Sequence, residues 1–193
     1  MIEKLYDWMM RQAESKNAVW VLTLVSFVES SFFPLPPDPV LAIVVAKNQN
    51  KAIRYALLCA LASVLGGFLG YYIGRAFFEL IGARILSFYG QAENFKDAVE
   101  TLNKWAFWII CAKGLTPIPY KVVTIASGFA QINLLTFTAA SVITRTARFL
   151  VLSLICKKFG NYVLNFIEKH KTTALILIIA SVIIGFLLIK LFV

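Results

Sequence analysis

Charge is what this sequence lacks. Asp, Glu, Lys and Arg make up 15% of its 193 residues, while 60% are hydrophobic. A soluble domain of that length rarely covers itself with so few charges, so an integral membrane protein is expected. Histidine is nearly absent: His170 stands alone between Lys169 and Lys171. No Ser-His-Asp set or zinc-hydrolase arrangement is therefore available, and no metal site is expected. The cysteines Cys59, Cys111 and Cys156 are dispersed in apolar segments without CxxC spacing, which argues against disulfides and zinc and for packing roles. No GxxxxGK[ST] phosphate loop occurs, so ATP drive is excluded for this chain. A lipid enzyme working through carboxylates alone would need a nucleophile that the sequence does not offer. We expect neither an enzyme nor a cofactor.

The net charge of +9 comes from basic residues scattered between apolar runs, not from a stripe interleaved with aromatics. Nucleic acid is set aside as a partner, and anionic lipid headgroups are expected instead. The first 17 residues carry Glu3, Asp7 and Glu14 and lack an apolar core, unlike a signal peptide. Their apolar positions Ile2, Leu5, Tyr6, Met9 and Ala13 predict an interfacial amphipathic helix over 1–17.

What is there is a series of apolar runs. Residues 52–74, 133–156 and 173–193 are each long enough to cross about 30 Å of hydrocarbon as helix. Phe88, Ala92, Phe95, Val99 and Leu102 recur at helical spacing and predict a surface helix over 85–104.

Two further runs are broken, and all the prolines lie in the breaks. Pro34, Pro36, Pro37 and Pro39 interrupt 18–46, and Pro117 and Pro119 interrupt 105–130. Proline removes a backbone donor and restrains the residue before it, so neither run continues as one helix. The halves of the first run would reach about 24 Å and about 10 Å, too short to cross separately. A kinked span and a re-entrant hairpin both fit. A Pro-x-Pro pair within a polar interruption, occurring twice, favours two re-entrant hairpins sheltered by protein.

The predicted fold is thus an all-α integral membrane protein. It is an inverted repeat of re-entrant hairpin plus transmembrane helix, with an extra C-terminal transmembrane helix and short amphipathic surface helices. Lys4, Arg11, Lys16, Lys47, Lys51, Arg54, Lys157, Lys158, Lys169 and Lys171 then share one side, and outnumber Arg75, Arg84, Lys96, Lys104 and Lys190 on the other. The positive-inside rule gives a multi-pass inner-membrane protein with a cytoplasmic N-terminus.

Charged residues inside such a domain are costly and need a pairing or a task. Glu29 precedes the first break and Asp38 follows it. Each reads as a transport or proton-coupling group, or as a cap or turn acid. Arg145 and Arg148 sit three residues apart inside 133–156 and share a helix face. Their anion is either an acid of the hairpins or a lipid phosphate, which guanidinium binds bidentately. Lys113 and Lys121 flank the second break, to attract phosphate or to snorkel. Ala62, Gly66, Gly70 and Gly74 form a ladder of small residues for helix packing. Tyr71, Tyr72, Trp105 and Trp108 read as interfacial belt residues.

The series E-x4-P-x-P-P-D, LGGFLGYYIGR (65–75), K-x3-P-x-P-x-K and Gly128 resembles the DedA superfamily, also called the SNARE-associated or VTT domain family, nearest its YqaA-like branch. The resemblance covers about residues 18 to 156. It implies a membrane fold with two opposed re-entrant hairpins and a role in moving lipids between leaflets, as phospholipid scramblases or carriers of polyprenyl phosphate. By position, Glu29 matches the family's first hairpin glutamate, Asp38 stands where many members have Glu, and Lys113 and Lys121 stand where many carry arginines. Two departures occur: Gly114 replaces a common arginine, and Gly67 a common aspartate.

The function expected from all this is a flippase or scramblase for a phosphate-bearing lipid, with protons as a candidate drive and a homo-oligomer as a candidate assembly. A non-transporting membrane scaffold and a proton-coupled carrier of a small anion are the alternatives.

Overall fold

A computed structural model describes residues 11, 17–31, 37–90, 92–114 and 119–169. The predicted interfacial helix (bar Arg11 and Asn17), Pro34, Pro36, Pro117 and the 173–193 span lie outside them. Every regular element among the described residues is helical. They are α1 (Ala18–Ser31), α2 (Asp38–Lys47), α3 (Ala52–Phe77), α4 (Ala83–Phe88), α5 (Ala92–Gly114), α6 (Tyr120–Phe129) and α7 (Leu134–Lys169). A 3-10 turn, Gln49–Lys51, leads into α3, and a π-helical segment, Phe78–Gly82, joins α3 to α4. Among the described residues, two stretches, Gln49–Phe88 and Leu134–Gly160, are long and apolar enough to cross a membrane.

Local chemistry sets the ends. Pro37 precedes α2 and Pro119 precedes α6, positions where a missing N–H costs a helix nothing. Asn133 caps α7: its Oδ1 accepts from Leu135 N at 2.9 Å and Thr136 N at 3.3 Å. Gly90, at φ 64, closes α4 in the left-handed conformation that glycine adopts without strain.

Three features of the fold differ from the sequence expectations. The surface helix 85–104 and the limb beginning at 105 are one element: α5 runs unbroken from Ala92 to Gly114, and the break falls at Tyr89–Gly90. A change from amphipathic to apolar composition at Lys104–Trp105 does not interrupt a helix, whereas a positive-φ glycine does. The helix expected over 133–156 is longer, continuing to Lys169 through a kink at Phe159, although its membrane-length apolar stretch ends at Gly160. Tyr71 is no belt residue: it is 2% exposed and its hydroxyl donates to the Ile132 carbonyl at 2.6 Å. Tyr72, Trp105 and Trp108 are exposed.

The helices pack as two matching halves. α1 packs on α3 and α5 on α7, each first limb against the long helix of its own half, while α2 packs on α7 and α6 on α3. Directions follow from paired contacts. Ser30 meets Ser63 and Ser31 meets Gly66, so α1 runs parallel to α3. Tyr120 faces Gly67 and Phe129 faces Gly74, so α6 does too. Asn103 meets Asn133 and Gly114 meets Thr144, which makes α5 parallel to α7. Asp38 meets Arg148 and Ala46 meets Gly160, which makes α2 parallel to α7 as well. The two long helices oppose each other, since Ser63 meets Arg145 while Tyr71 meets Phe137.

The consequence is a convergence. The C-termini of α1 and α5 and the N-termini of α2 and α6 all arrive level with the middles of α3 and α7. One apolar cluster lies on the proximal side, toward Gln49, and includes Leu22, Leu41, Tyr55, Cys59, Phe149 and Cys156. A second lies on the distal side, toward Phe88, and includes Tyr71, Ala106, Ile110 and Phe137. Between them is a polar layer.

Candidate functional site

α3 makes the convergence possible. A Cβ on Gly66 would fall onto the backbone of Phe27, one on Gly74 onto the Ile125 carbonyl, and one on Gly70 onto the Thr124 hydroxyl. These glycines let α1 and α6 lie against α3 at backbone distance. Ala62, the remaining member of the ladder, is also buried. Hydroxyls stitch the seam: Ser31 Oγ donates to the Gly66 carbonyl at 3.1 Å, and Thr124 Oγ1 to the Ser30 carbonyl at 3.3 Å.

Into this layer α7 projects Arg145, 2% exposed. Its Nε donates to Ser63 Oγ at 2.7 Å and its Nη2 to Glu29 Oε2 at 3.4 Å. Ser63 and Ser30 share a hydrogen bond of 2.6 Å, and Ser30 Oγ donates to the same Glu29 oxygen at 3.3 Å. The guanidinium lies 4.4 Å from the Tyr120 ring centroid and 4.8 Å from that of Phe149, a cation in reach of two aromatic rings. One turn further along α7, Arg148 Nη2 donates to Asp38 Oδ2 at 2.6 Å. That pair is more open, with side chains 32% and 33% exposed.

The two arginines thus share a helix but hold different acids, and both acids come from the other half of the molecule. Lys121, in the first turn of α6, is half-buried and within electrostatic range of Glu29. Lys113 is half-buried in the last turn of α5. Pro37 and Pro119 sit beside the layer as helix-start residues. Chemistry-bearing residues that sequence reasoning missed are Ser30, Ser63, Tyr120 and Phe149. A serine or an aromatic ring in an apolar run carries no signal until its neighbours are known.

The arrangement offers cations in excess: Arg145, Arg148 and Lys121 surround two carboxylates. It can bind an anion, and an anion entering it would compete with Glu29 and Asp38 for the guanidiniums.

Residues 33–158 match the VTT domain model. The chain belongs to the VTT domain family, the DedA family of membrane proteins. Asp38, Lys113, Lys121, Arg145 and Arg148 fall within the matched VTT domain, and Glu29 lies just before it. An uncharacterized protein of Haemophilus influenzae is 34% identical over 149 residues, 77% of either chain. A homologue from Histophilus somni, also uncharacterized, is 33% identical over 77% of this chain and 78% of its own. No solved structure matches this VTT domain protein significantly.

Proposed function

We propose that this protein moves a phosphate-bearing lipid, a phospholipid or a polyprenyl phosphate, between membrane leaflets. The observation that carries the reading is the pair of ion bridges, Glu29–Arg145 and Asp38–Arg148, joining the two inverted halves with Lys121 beside them. A lipid phosphate that takes over an arginine releases an acid, and with it a tie between the halves. The substrate would then loosen the contact that must open for it to pass.

In this reading the two broken segments are re-entrant hairpins. α1 ends level with the middle of α3, and α2 leads back to the start of α3, which supports entry and return on one face. α5 and α6 repeat the pattern in the opposite sense. The exposed tryptophans fit the same placement. Trp20 to Ser31 is eleven residue steps along α1 and Trp105 to Gly114 nine along α5, about 30 Å in all at about 1.5 Å per step. That is the thickness of a hydrocarbon core, with an aromatic anchor near each boundary.

We place the chain in the inner membrane with a cytoplasmic N-terminus, from its distribution of Lys and Arg, and nearest the YqaA-like branch, from the order and spacing of its whole motif series, both proline motifs, LGGFLGYYIGR and Gly128 together. The test is translocation of fluorescent phospholipid in proteoliposomes, with and without a pH gradient. Translocation faster than in protein-free vesicles supports the reading, and stimulation by the gradient adds proton coupling. No translocation of either anionic or zwitterionic lipid would leave a scaffold role. Movement of free phosphate alone would indicate a small-anion carrier.

A further inference from the structure

The polar layer does not satisfy all of its own members. Ser26 Oγ, Asp38 Oδ1, Tyr120 Oη, Ser141 Oγ and Ser153 Oγ are buried with no hydrogen-bond partner of good geometry among the described residues. Buried polar atoms are nearly always paired, with protein or with internal water. These five are not scattered. They lie in two groups, on opposite sides of Arg145.

The proximal group gathers around two thiols. The Ser26 hydroxyl neighbours Cys59, and Asp38 is within electrostatic range of both Cys59 and Cys156. Ser153 lies one turn beyond Phe149 on α7, on the way to Cys156. The distal group is Tyr120 and Ser141, whose hydroxyls are neighbours without meeting in good geometry. Ser141 precedes Arg145 by one turn. From Ser141 to Ser153 the helix rises about 18 Å, more than half of a hydrocarbon core.

Between the groups stands a closed layer. Arg145 is held by Glu29 and Ser63, with its guanidinium over both the Tyr120 ring and the Phe149 ring. Phe149 is fully buried. We propose that internal water occupies two sites flanking this layer, one bounded by Ser26, Asp38 and Ser153 and the other by Tyr120 and Ser141. The Arg145 layer is then the seal between two aqueous half-pathways that open toward opposite faces. The proposal goes beyond lipid transport and holds whichever substrate is moved. Its consequence is that Glu29, held inside the seal by Arg145, meets water from one face or the other only when the Arg145 layer opens.

Silver ion, small enough to follow a file of water, reports on such sites by blocking thiols. In a chain with Cys59, Cys111 and Cys156 replaced by Ala, the variants are Ser26→Cys, Ser141→Cys and Ser153→Cys. Ala60→Cys and Ala140→Cys serve as equally buried controls in the apolar clusters. The protein is reconstituted into phosphatidylcholine vesicles and treated with silver from one side. It is then unfolded, and the thiols still free are counted with a maleimide. The expected result is blocking at the three serine positions at least tenfold faster than at the alanine positions. Ser26→Cys and Ser153→Cys should react from the proximal face and Ser141→Cys from the distal face. In the unmodified chain, Cys59 should react from the proximal face as well, which needs no variant to fold. Equal rates at serine and alanine positions overturn the water sites. Reaction of all three serine positions from one face overturns the seal.

Discussion

Glu29 and Arg145, 116 residues apart in the chain, meet at 3.4 Å with side chains 14% and 3% exposed. Nothing local brings them together. Glu29 ends a short helix of the first half, Arg145 occupies the middle of the long helix of the second, and the glycine face of α3 sets the depth at which they meet. The pair therefore reports on the assembly of the whole bundle, and substitutions there separate structural from functional roles.

Removing Arg145 leaves Glu29 withdrawn from water without its guanidinium, a change that costs about 3–5 kcal/mol in buried pairs. Arg145→Gln should lower the thermal transition in detergent strongly, and Glu29→Gln less, because Ser63 and two aromatic rings still hold the arginine. The double variant should recover part of the loss, which a double-mutant cycle measures. Arg148→Gln should cost about 1 kcal/mol, since the Asp38–Arg148 pair is one-third exposed and screened by water. Equal losses at Arg145 and Arg148 would contradict this ranking.

The four charges of the ion bridges were legible in the sequence because charge in an apolar run is conspicuous. The pairing was not: residue spacing shows that Arg145 and Arg148 share a face, but only packing shows that each holds a different acid. Proline marked where α2 and α6 begin. It gave no sign that α5 continues through Lys104, since helices tolerate a change of solvent along their length. Tyr71 shows the limit most simply, because a tyrosine at a membrane boundary and one buried against Phe137 look alike in sequence.

Sidedness follows from the antiparallel long helices. Gly160, beside the kink of α7, lies against Gln49 and Ala46, so this part of α7 and the end of α2 meet where α3 begins. Gln49→Cys and Lys157→Cys should label with a membrane-impermeant maleimide from one face only, expected to be cytoplasmic. Asn94→Cys should label from the other. Labelling of Gln49→Cys and Lys157→Cys from opposite faces would contradict the inverted repeat.

The glycines of α3 should not be equivalent. A methyl at Gly66 or Gly74 meets backbone, which has nowhere to go, and overpacking of this kind costs about 1–3 kcal/mol. A methyl at Gly67 meets the Tyr120 side chain at 3.2 Å, which a small shift relieves. Gly66→Ala and Gly74→Ala should therefore lower the melting temperature in detergent by several degrees more than Gly67→Ala does. A larger effect at Gly67 would place the tight contact on α6 side chains instead of on backbone.

The proton question turns on Glu29. Its carboxylate is tied to Arg145 and Ser30, and Lys121 is near enough to be felt. If lipid phosphate takes the arginine, the carboxylate loses its strongest counter-charge while still withdrawn from water. Binding a proton then becomes the cheaper state. Lipid binding and proton uptake are linked in this scheme, so a pH gradient biases the cycle. Glu29→Gln fixes the neutral form, keeps nearly the same volume and can still hydrogen-bond Arg145. It should translocate lipid at a rate that no longer changes with the gradient, whereas Glu29→Asp should keep part of the response. The measurement is the ratio of fluorescent-lipid translocation rates with and without an imposed gradient. For Glu29→Gln that ratio should fall to unity. A ratio unchanged from the parent would rule out Glu29 as the coupling acid, and the same ratio surviving in Glu29→Gln/Asp38→Asn would mean that neither acid carries it.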